Sequence, residues 1–322
     1  MKAVIQSEYG PADLRIENVP RPEIGDDEVL VEVHAASIHA GDALMMQGRP
    51  YVFRAGTGLR RPRTATPGFD LAGTVVSVGP DVTRFRAGDE VFGEGKSSLA
   101  EYARAKESRL ALKPTNLTFE QAAVLTVSGL TALRAVRDVG NVQSGQSVLI
   151  VGAAGGIGTY AVQIAKAMGA TVTGVCSGGK ADLVRSLGAD HVIDYTQEDF
   201  TASDQKYDFI LDNVGTTSLS DMRKVLAPEG TLIPNSGTSG GQWFGPIPTM
   251  VRAMATSPFV SQNFRLFVSI PNEADLDALV DLVESGDVVP VVGATYPLDD
   301  AQQAFSELTS GHATGKVAIT VA

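Results

Sequence analysis

The chain has 322 residues, 43% of them hydrophobic and 20% charged, and a formal net charge of -11 at pH 7. That length predicts two domains, and the composition is that of an ordinary globular protein able to bury a full core. The acidic balance argues against a general binder of nucleic acid or of anionic membranes, because both need clustered Lys and Arg.

The first part of the chain has the pattern of a mostly β domain. Short apolar runs at residues 3–5, 28–34, 73–79 and 88–93 are separated by turn residues. In 28–34 the apolar residues alternate with Glu32 and His34, as a half-buried strand requires. At Thr118 a capping hydroxyl followed by an acid in the first turn predicts a helix start.

The middle of the chain has the spacing of a doubly wound parallel sheet. Strand candidates at 148–151, 171–177, 191–195, 209–214, 231–235 and 264–269 recur at helix-sized intervals, with helices predicted over 180–187, 219–226 and 273–284. Residues 288–322 return to a β pattern around a helix at 299–308. We therefore expect an α/β protein with a mostly β domain over 1–119, completed by 288–322, and a second domain, with the parallel sheet, over 120–287.

A glycine-rich turn follows the strand at 148–151. It matches the dinucleotide fingerprint G-x-G-x-x-G, with Ala153 in place of the first glycine. Gly155 leaves room for a pyrophosphate beside the backbone, and Gly158 allows close packing of helix on strand. The amides at the start of the next helix would then face the phosphates.

The next strand ends at Ser177, nineteen residues beyond Gly158. An NAD site usually places Asp or Glu there, to accept hydrogen bonds from the ribose. Ser177 and Lys180 offer a hydroxyl and an ammonium instead, which suit a 2′-phosphate and predict NADPH. The alternative is a solvated loop with an incidental lysine.

The chain resembles the medium-chain dehydrogenase/reductase superfamily, because several motifs occur in the order found in that family. It resembles the zinc-free quinone oxidoreductase-like branch most. The motifs lie at residues 34–42, 67–73, 78–89, 129–132 and 315–316, besides the glycine turn. The resemblance implies a GroES-like mostly β catalytic domain and a Rossmann domain with a doubly wound parallel sheet. It also implies a homodimer, formed through an edge strand such as 264–269.

The resemblance also assigns cofactor contacts residue by residue. It implies phosphate binding by Gly155, Gly156, Ile157 and Gly158. It implies a 2′-phosphate site at Ser177, Lys180 and Tyr195. Asn213, Val214, Ser236 and Gly237 would lie against the ribose and nicotinamide, and Lys316 would close on the cofactor.

Metal ligands are missing where zinc-dependent members of the superfamily carry them. Those members have a cysteine where this chain has His39, a Gly-His-Glu where it has Gly68, Phe69 and Asp70, and a four-cysteine structural lobe. A catalytic zinc needs about three protein ligands, and His39 with Asp70 supply two at most. We therefore expect no metal.

The remaining chemistry is hydride transfer to an acceptor that delocalises charge, such as an enone or a quinone. His39, Asp42 and Tyr51 are the candidate catalytic residues. His39 would donate a proton or hydrogen bond near neutral pH, or else pack in a loop; Asp42 would act as a base, or else cap a helix. Tyr51 would donate through its hydroxyl, or else pack with that hydroxyl in water.

Arginines crowd a stretch rich in glycine and proline, at Arg49, Arg54, Arg60, Arg61 and Arg63. A lid that attracts an anionic acceptor would explain them, and so would a solvated surface loop.

Two other functions remain open at this point. One is an alcohol dehydrogenase with a non-standard metal site, and the other is an NADPH-binding scaffold or sensor without turnover. The amino terminus lacks a signal-peptide core, no apolar run reaches membrane-spanning length, and the single Cys176 excludes an intramolecular disulfide. We therefore expect a cytoplasmic protein.

Overall fold

The computed structural model of the chain describes residues 1–10, 14–236, 241–245, 247–248, 251–252 and 260–321. The chain divides into two compact units. Unit 1 comprises Met1–Leu130, Ile270–Gly286 and Pro290–Ala322, and unit 2 comprises Thr131–Ser269 and Asp287–Val289. Among the described residues, no helix combines the length and the apolar character needed to cross a bilayer.

The secondary structure is as follows in chain order. The strands are β1 Lys2–Gln6, β2 Leu14–Asn18, β3 Glu28–Ile38, β4 Asp70–Val78, β5 Glu90–Glu94, β6 Tyr102–Lys106, β7 Leu110–Leu112, β8 Ser147–Val151, β9 Thr171–Cys176, β10 His191–Asp194, β11 Tyr207–Asp212, β12 Leu226–Pro234, β13 Asn263–Phe264, β14 Val292–Pro297 and β15 Lys316–Thr320. The α-helices are α1 Ala40–Gln47, α2 Arg54–Thr57, α3 Phe119–Ala123, α4 Thr126–Leu133, α5 Gly156–Ala167, α6 Ala181–Ser186, α7 Leu219–Val225, α8 Gly241–Phe244, α9 Glu273–Glu284 and α10 Ala301–Thr309. Shorter 3₁₀ segments cover Tyr51–Phe53, Glu107–Arg109, Gly178–Lys180, Phe200–Ala202 and Leu298–Asp300, and a π-helical segment covers Arg134–Val139.

Unit 1 is built on a seven-stranded sheet in the order β14-β15-β3-β4-β5-β7, with β6 also paired to β3. The 11-residue β3 is its longest strand and is buried along most of its length. β3 pairs with β4 over most of its length, and along its other edge it pairs with β6 at its start and with β15 at its end. This pairing brings Lys316, the first residue of β15, to the end of β3.

Unit 2 contains a six-stranded sheet in the order β10-β9-β8-β11-β12-β13. Every neighbouring pair in it is parallel. The strand order reverses between β8 and β11, and the carboxyl ends of strands at such a switch point are where open α/β sheets bind ligands. The predicted α/β fold class, with a mostly β part and a doubly wound parallel sheet, is confirmed.

One predicted strand is much shorter than expected. The sequence predicted a strand over 264–269, whereas β13 ends at Phe264. The amide of Arg265 still donates to the Leu232 carbonyl at 3.0 Å. The next bond of the parallel ladder would need an amide hydrogen from Pro234, which proline lacks, so the pairing stops there.

Candidate functional site

The glycine turn after β8 forms an open cradle at the start of α5. Gly152 has a φ of 75°, and the Gly155 amide donates to the Gly152 carbonyl at 3.0 Å. Gly152 therefore makes the tight turn, one residue before the position where the fingerprint has Ala153. A Cβ on Gly158 would lie 2.1 Å from the Gly152 oxygen, so only glycine fits there.

The N-terminus of α5 has no side-chain cap. Gly155 is its N-cap, and no side-chain hydrogen bond caps the helix. The amides at the start of α5, including those of Gly156 and Ile157, have no partner within the helix. Such a helix end binds anions through its free amides and its dipole. The cradle therefore fits a dinucleotide pyrophosphate.

The loop after β9 and the loop after β10 lie side by side, because Cys176 and Asp194 are register partners. Ser177 precedes the 3₁₀ turn Gly178–Lys180, and its carbonyl accepts the Lys180 amide at 2.9 Å. Lys180 is half-buried, and Tyr195 is 58% exposed. Ser177, Lys180 and Tyr195 thus follow the ends of two adjacent strands, and their contact with a cofactor stays a prediction.

The structure adds a carboxylate to this loop pair. Asp194 accepts hydrogen bonds from the amide and hydroxyl of Thr196 at 3.0 and 2.8 Å. Hydrogen bonds from Thr196 and the Gly178 amide lower the pKa of Asp194. A Cβ on Gly178 would lie 2.4 Å from its Oδ2, so the glycine permits this approach. Sequence reasoning missed Asp194 because it searched only the end of the second strand for an acid.

Hydrogen bonds between polar side chains and backbone groups connect the carboxyl ends of β8, β11 and β12. Asp212 is 4% exposed, and its carboxylate accepts the amides of Val214 and Gly215 at 3.0 and 2.9 Å. Burial raises its pKa, and these two amides oppose that rise. Asn213 donates through Nδ2 to the Val151 carbonyl at 3.3 Å and accepts from Asn235 Nδ2 at 2.8 Å.

The network fixes Asn213 at the switch point of the sheet. Val214, beside it, is 40% exposed, and Ser236, after β12, is buried. Gly237 lies outside the described residues. The sequence did not single out Asp212 or Asn235, because their contacts follow from the pairing of β11 with β12.

In unit 1, His39 and Asp42 start α1 together. His39 is the N-cap, and its Nδ1 accepts the Asp42 amide at 3.2 Å, while its own amide donates to Asp42 Oδ2 at 2.9 Å. This is a reciprocal capping box with an imidazole in place of the usual hydroxyl. The alternative role of Asp42, capping a helix, is therefore observed.

Burial perturbs both groups in opposite directions. The Asp42 side chain is 1% exposed, and its Oδ1 is buried without a hydrogen-bond partner in the described structure. Burial raises the pKa of Asp42 to about 7. The His39 side chain is 17% exposed, and burial lowers its pKa to about 4, with Asp70 raising it and Lys316 lowering it.

His39 is consequently neutral at pH 7. Because its Nδ1 accepts a hydrogen bond, we assign the ring proton to Nε2, which lies 3.4 Å from Asp42 Oδ2. The ring stacks on Phe69 with centroids 6.3 Å apart.

Asp70 and Lys316 form a buried ion pair beside this capping box. Asp70 is 0% exposed and accepts from Ser37 Oγ at 2.9 Å, from the Val127 amide at 3.1 Å and from Lys316 Nζ at 3.4 Å. Lys316 Nζ also donates to the Ile38 carbonyl at 3.2 Å. The ammonium is thus held by unit 1 itself, and a contact between Lys316 and a cofactor stays a prediction.

Tyr51 lies beyond the end of α1, in the 3₁₀ segment Tyr51–Phe53, and is half-buried. The guanidinium of Arg54 lies over its ring at 4.8 Å and over the ring of Tyr9 at 4.4 Å. Arg54 Nε also donates to the Gly48 carbonyl at 2.8 Å. Tyr51 therefore packs against a cation, and its catalytic role stays a prediction.

Two family models match the chain. One describes an alcohol dehydrogenase GroES-like domain and covers residues 25–193, and the other describes a zinc-binding dehydrogenase and covers residues 187–319. The chain belongs to the medium-chain dehydrogenase/reductase superfamily. Its similarity to the quinone oxidoreductase-like branch of that superfamily, inferred from the motifs, is likewise confirmed.

Relatives of this superfamily member align along nearly its whole length. It is 38% identical to an NADPH-dependent alkenal/one oxidoreductase, chloroplastic, from Arabidopsis thaliana, in an alignment 339 positions long that covers 99% of this chain and 79% of the relative. It is 37% identical to a 2-methylene-furan-3-one reductase from Solanum lycopersicum, in an alignment 335 positions long that again covers 99% of this chain and 79% of the relative. The solved quinone oxidoreductase of Coxiella burnetii is 28% identical and superposes with a TM-score of 0.87, covering 100% of this chain and 99% of that one.

Proposed function

We propose that this medium-chain dehydrogenase/reductase is a zinc-independent, NADPH-dependent oxidoreductase that reduces the activated C=C bond of an enone, or a quinone. The observation that carries the proposal is the uncapped glycine N-terminus of α5, which fits a dinucleotide pyrophosphate. The Arabidopsis and tomato relatives, named as enone-type reductases, support the chemistry. The Coxiella quinone oxidoreductase supports a quinone as the other acceptor.

Bound NADPH would supply hydride to the acceptor. The cofactor-binding residues we propose are Gly155, Gly156, Ile157 and Gly158 for the pyrophosphate, Ser177, Lys180 and Tyr195 for the 2′-phosphate, and Asn213, Val214, Ser236, Gly237 and Lys316 for the rest. Asp194 lies in the neighbouring loop, and its negative charge would repel the 2′-phosphate. The positive charge of Lys180 would have to outweigh that repulsion.

The protein's own task is to stabilise the oxygen that gains charge when hydride reaches the conjugated carbon. We assign this task to His39, because its neutral ring carries a donor at Nε2. Asp42, whose pKa burial raises to about 7, lies next to that nitrogen. Tyr51 is the second candidate donor.

The donor set of unit 1 supports a reaction without zinc. His39 Nδ1 is occupied by the Asp42 amide, and Phe69 offers no ligand atom. The oxygens of Asp70 already accept three hydrogen bonds, one of them from an ammonium. In the part of the chain that the structure describes, no three His, Cys, Asp or Glu residues are placed to hold a metal ion.

An acceptor screen tests the proposal. We expect the purified protein to oxidise NADPH when given an enone or a quinone, with no response to a chelator. Chelator-sensitive oxidation of alcohols would instead support a metal-dependent dehydrogenase. Tight NADPH binding without turnover across the panel would support a scaffold or sensor.

The 2′-phosphate assignment has a separate test. Lys180→Ala should weaken NADPH binding by about 10- to 150-fold, the equivalent of a charge-assisted hydrogen bond of about 1.5–3 kcal/mol, and NADH binding far less. Lys224→Ala is the matched control, because that lysine is 63% exposed and pairs with Asp221. Equal losses for the two coenzymes would contradict the assignment.

A homodimer through the outer edge of β13 is also part of the proposal. The support is that β13 ends the sheet of unit 2, and an end strand has unpaired backbone groups. Light scattering during gel filtration measures the oligomeric state, and a monomer would contradict it. A cytoplasmic location stays a prediction from the sequence, to be checked by cell fractionation.

A further inference from the structure

A carboxylate lies against the loop that we propose as the 2′-phosphate site. Asp194 ends β10, beside Cys176 at the end of β9. Its side chain reaches across to the neighbouring loop, because a Cβ on Gly178 would lie 2.4 Å from Asp194 Oδ2. Gly178 stands between Ser177 and Lys180, the two residues of that loop assigned to the phosphate. A carboxylate oxygen and the proposed phosphate-binding cation therefore belong to the same small region.

Hydrogen bonds fix this carboxylate and keep it ionised. The amide and the hydroxyl of Thr196 donate to Asp194 Oδ1 at 3.0 and 2.8 Å. These two bonds, with a further one from the Gly178 amide, lower the pKa of Asp194 below its ordinary value of 3.8. At neutral pH the side chain therefore carries a full negative charge at the edge of the proposed phosphate site.

The end of β9 is surrounded by charges of both signs. Burial raises the pKa of the Cys176 thiol, and Asp194 raises it further, whereas Lys180 lowers it. Arg185 lowers it as well, but this guanidinium donates to Asp182 at 2.8 Å, so its charge is balanced within α6. The potential at the loop is then set mainly by Lys180 and Asp194, which act in opposite directions.

Asp194 has the capacity to accept one more hydrogen bond. An ionised carboxylate has about four acceptor positions, and the bonds from Thr196 and Gly178 use three of them. The side chain is also partly exposed, so a ligand can approach it. The free 2′-hydroxyl of NADH can donate to such an oxygen, as ribose hydroxyls do to the acid of an NAD site. The 2′-phosphate of NADPH is negatively charged and is repelled instead.

We propose that Asp194 sets the coenzyme selectivity of this protein: it accepts a hydrogen bond from the 2′-hydroxyl of NADH and opposes the attraction of Lys180 for the 2′-phosphate of NADPH, so that both coenzymes are used. The inference rests on the proposed function and adds the residue that limits its preference for NADPH. The site then has two recognition groups, a cation for the phosphate and an anion for the hydroxyl. Either coenzyme supplies the same hydride to the acceptor.

The test compares NADPH with NADH in variants that lack one carboxylate. Asp194→Asn and Asp194→Ala remove the charge beside Lys180. Asp190→Asn is the matched control, because Asp190 precedes β10 at the opposite end of the strand, where it accepts from the Val172 amide at 2.8 Å. The quantity measured is kcat/KM for NADPH divided by kcat/KM for NADH, with 3-penten-2-one as acceptor. A loosened loop would weaken both coenzymes alike and leave this ratio unchanged, whereas a lost charge changes it.

We expect both Asp194 variants to raise the ratio about tenfold or more, and Asp190→Asn to stay within about twofold of the wild type. In Asp194→Asn the KM for NADPH should fall and the KM for NADH should rise. Added salt should reduce the gain for NADPH, because it screens the repulsion that the substitution removes. Calorimetry with NADP⁺ and NAD⁺, which carry no hydride to transfer, gives a readout without turnover. Asp194→Asn should bind NADP⁺ more tightly and NAD⁺ more weakly than the wild type does.

The other results separate this inference from the proposed function. A ratio within about twofold of the wild type in both Asp194 variants would overturn the inference, since Asp194 would then only support the loop. An equal rise in Asp190→Asn would also overturn it, as would a wild type that neither oxidises NADH nor binds NAD⁺. In each of these cases, reduction of 3-penten-2-one by NADPH leaves the proposed function standing. If no enone or quinone is reduced while Asp194→Asn shifts binding from NAD⁺ to NADP⁺, the proposed function is wrong and the role of Asp194 stands.

Discussion

Replacing Asp42 with Asn should remove a pH-dependent loss of stability that is specific to this carboxyl group. Burial raises the pKa of Asp42 from 3.8 to about 7, and the charged groups facing it are Lys316 and Glu94, with His39 neutral beside it. A carboxyl with a raised pKa binds its proton more tightly in the folded state. The protein is therefore most stable, with respect to this group, below pH 3.8, and it loses stability as the pH rises to about 7.

The size of the effect follows from the shift. Three pKa units correspond to about 4 kcal/mol at full deprotonation, of which about 2.5 kcal/mol falls between pH 5 and pH 8. Asp42→Asn does not titrate, and its amide oxygen can still accept from the His39 amide. The new NH₂ group takes the place of Oδ1, which is buried without a hydrogen-bond partner. The buried NH₂ group should therefore destabilise the variant by about 1–3 kcal/mol, and by the same amount at every pH.

Urea denaturation of both proteins at pH 5, 6, 7 and 8 measures this difference. The free energy of unfolding of the wild type should fall by about 2.5 kcal/mol relative to Asp42→Asn over that range. Asp221→Asn is the control, because hydrogen bonds from Lys224 and Ser218 lower the pKa of Asp221 and its difference from wild type should be flat above pH 5. A flat difference for Asp42→Asn as well would refute the raised pKa, as would the absence of a protonated-carboxyl band from the wild-type infrared spectrum at pH 6.

The other predictions concern the ion pair of unit 1 and the cradle of unit 2. Lys316→Met should lower the free energy of unfolding by about 3–5 kcal/mol, because it removes the cation that pairs with the buried carboxylate of Asp70. The double variant Lys316→Met, Asp70→Asn should recover part of that loss. Urea denaturation of the wild type, both single variants and the double variant measures these differences. Gly158→Ala should abolish NADPH binding in a fluorescence titration, since its Cβ would lie 2.1 Å from the Gly152 oxygen. Gly56→Ala, with nothing within 4 Å of its Cβ, should bind NADPH normally, and similar results for the two glycine variants would contradict the cradle geometry.

The sequence predicted those parts of the fold that depend on residues close to one another along the chain. The helix start at Thr118 forms as expected, with Thr118 and Gln121 exchanging hydrogen bonds. Strand lengths depend also on the partner strand, which is why the strand predicted over 264–269 ends early beside Pro234. Likewise Gly152 makes the tight turn, although the fingerprint aligns its first glycine with Ala153.

The candidate sites divide in the same way. The sequence spacing was enough to place Ser177 and Lys180 on one turn. Asp194 was not, since its contact with Gly178 crosses two strands. Lys316 was assigned to the cofactor from the family, but its pairing with Asp70 joins positions 246 residues apart.

The buried ion pair has a consequence for the choice of acceptor. In zinc-dependent relatives the Gly-His-Glu motif stands at residues 68–70, where this chain has Phe69 and an Asp70 neutralised by Lys316. A fixed ammonium balances the charge of Asp70 but leaves no open coordination position to polarise an alkoxide. Under the proposed function the acceptor must therefore spread the incoming negative charge through its own conjugation, with only a hydrogen bond such as that from His39 Nε2 to assist. Saturated ketones lack that conjugation, so they should be reduced far more slowly than enones of the same size, and equal rates would mean that the protein activates the carbonyl by other means.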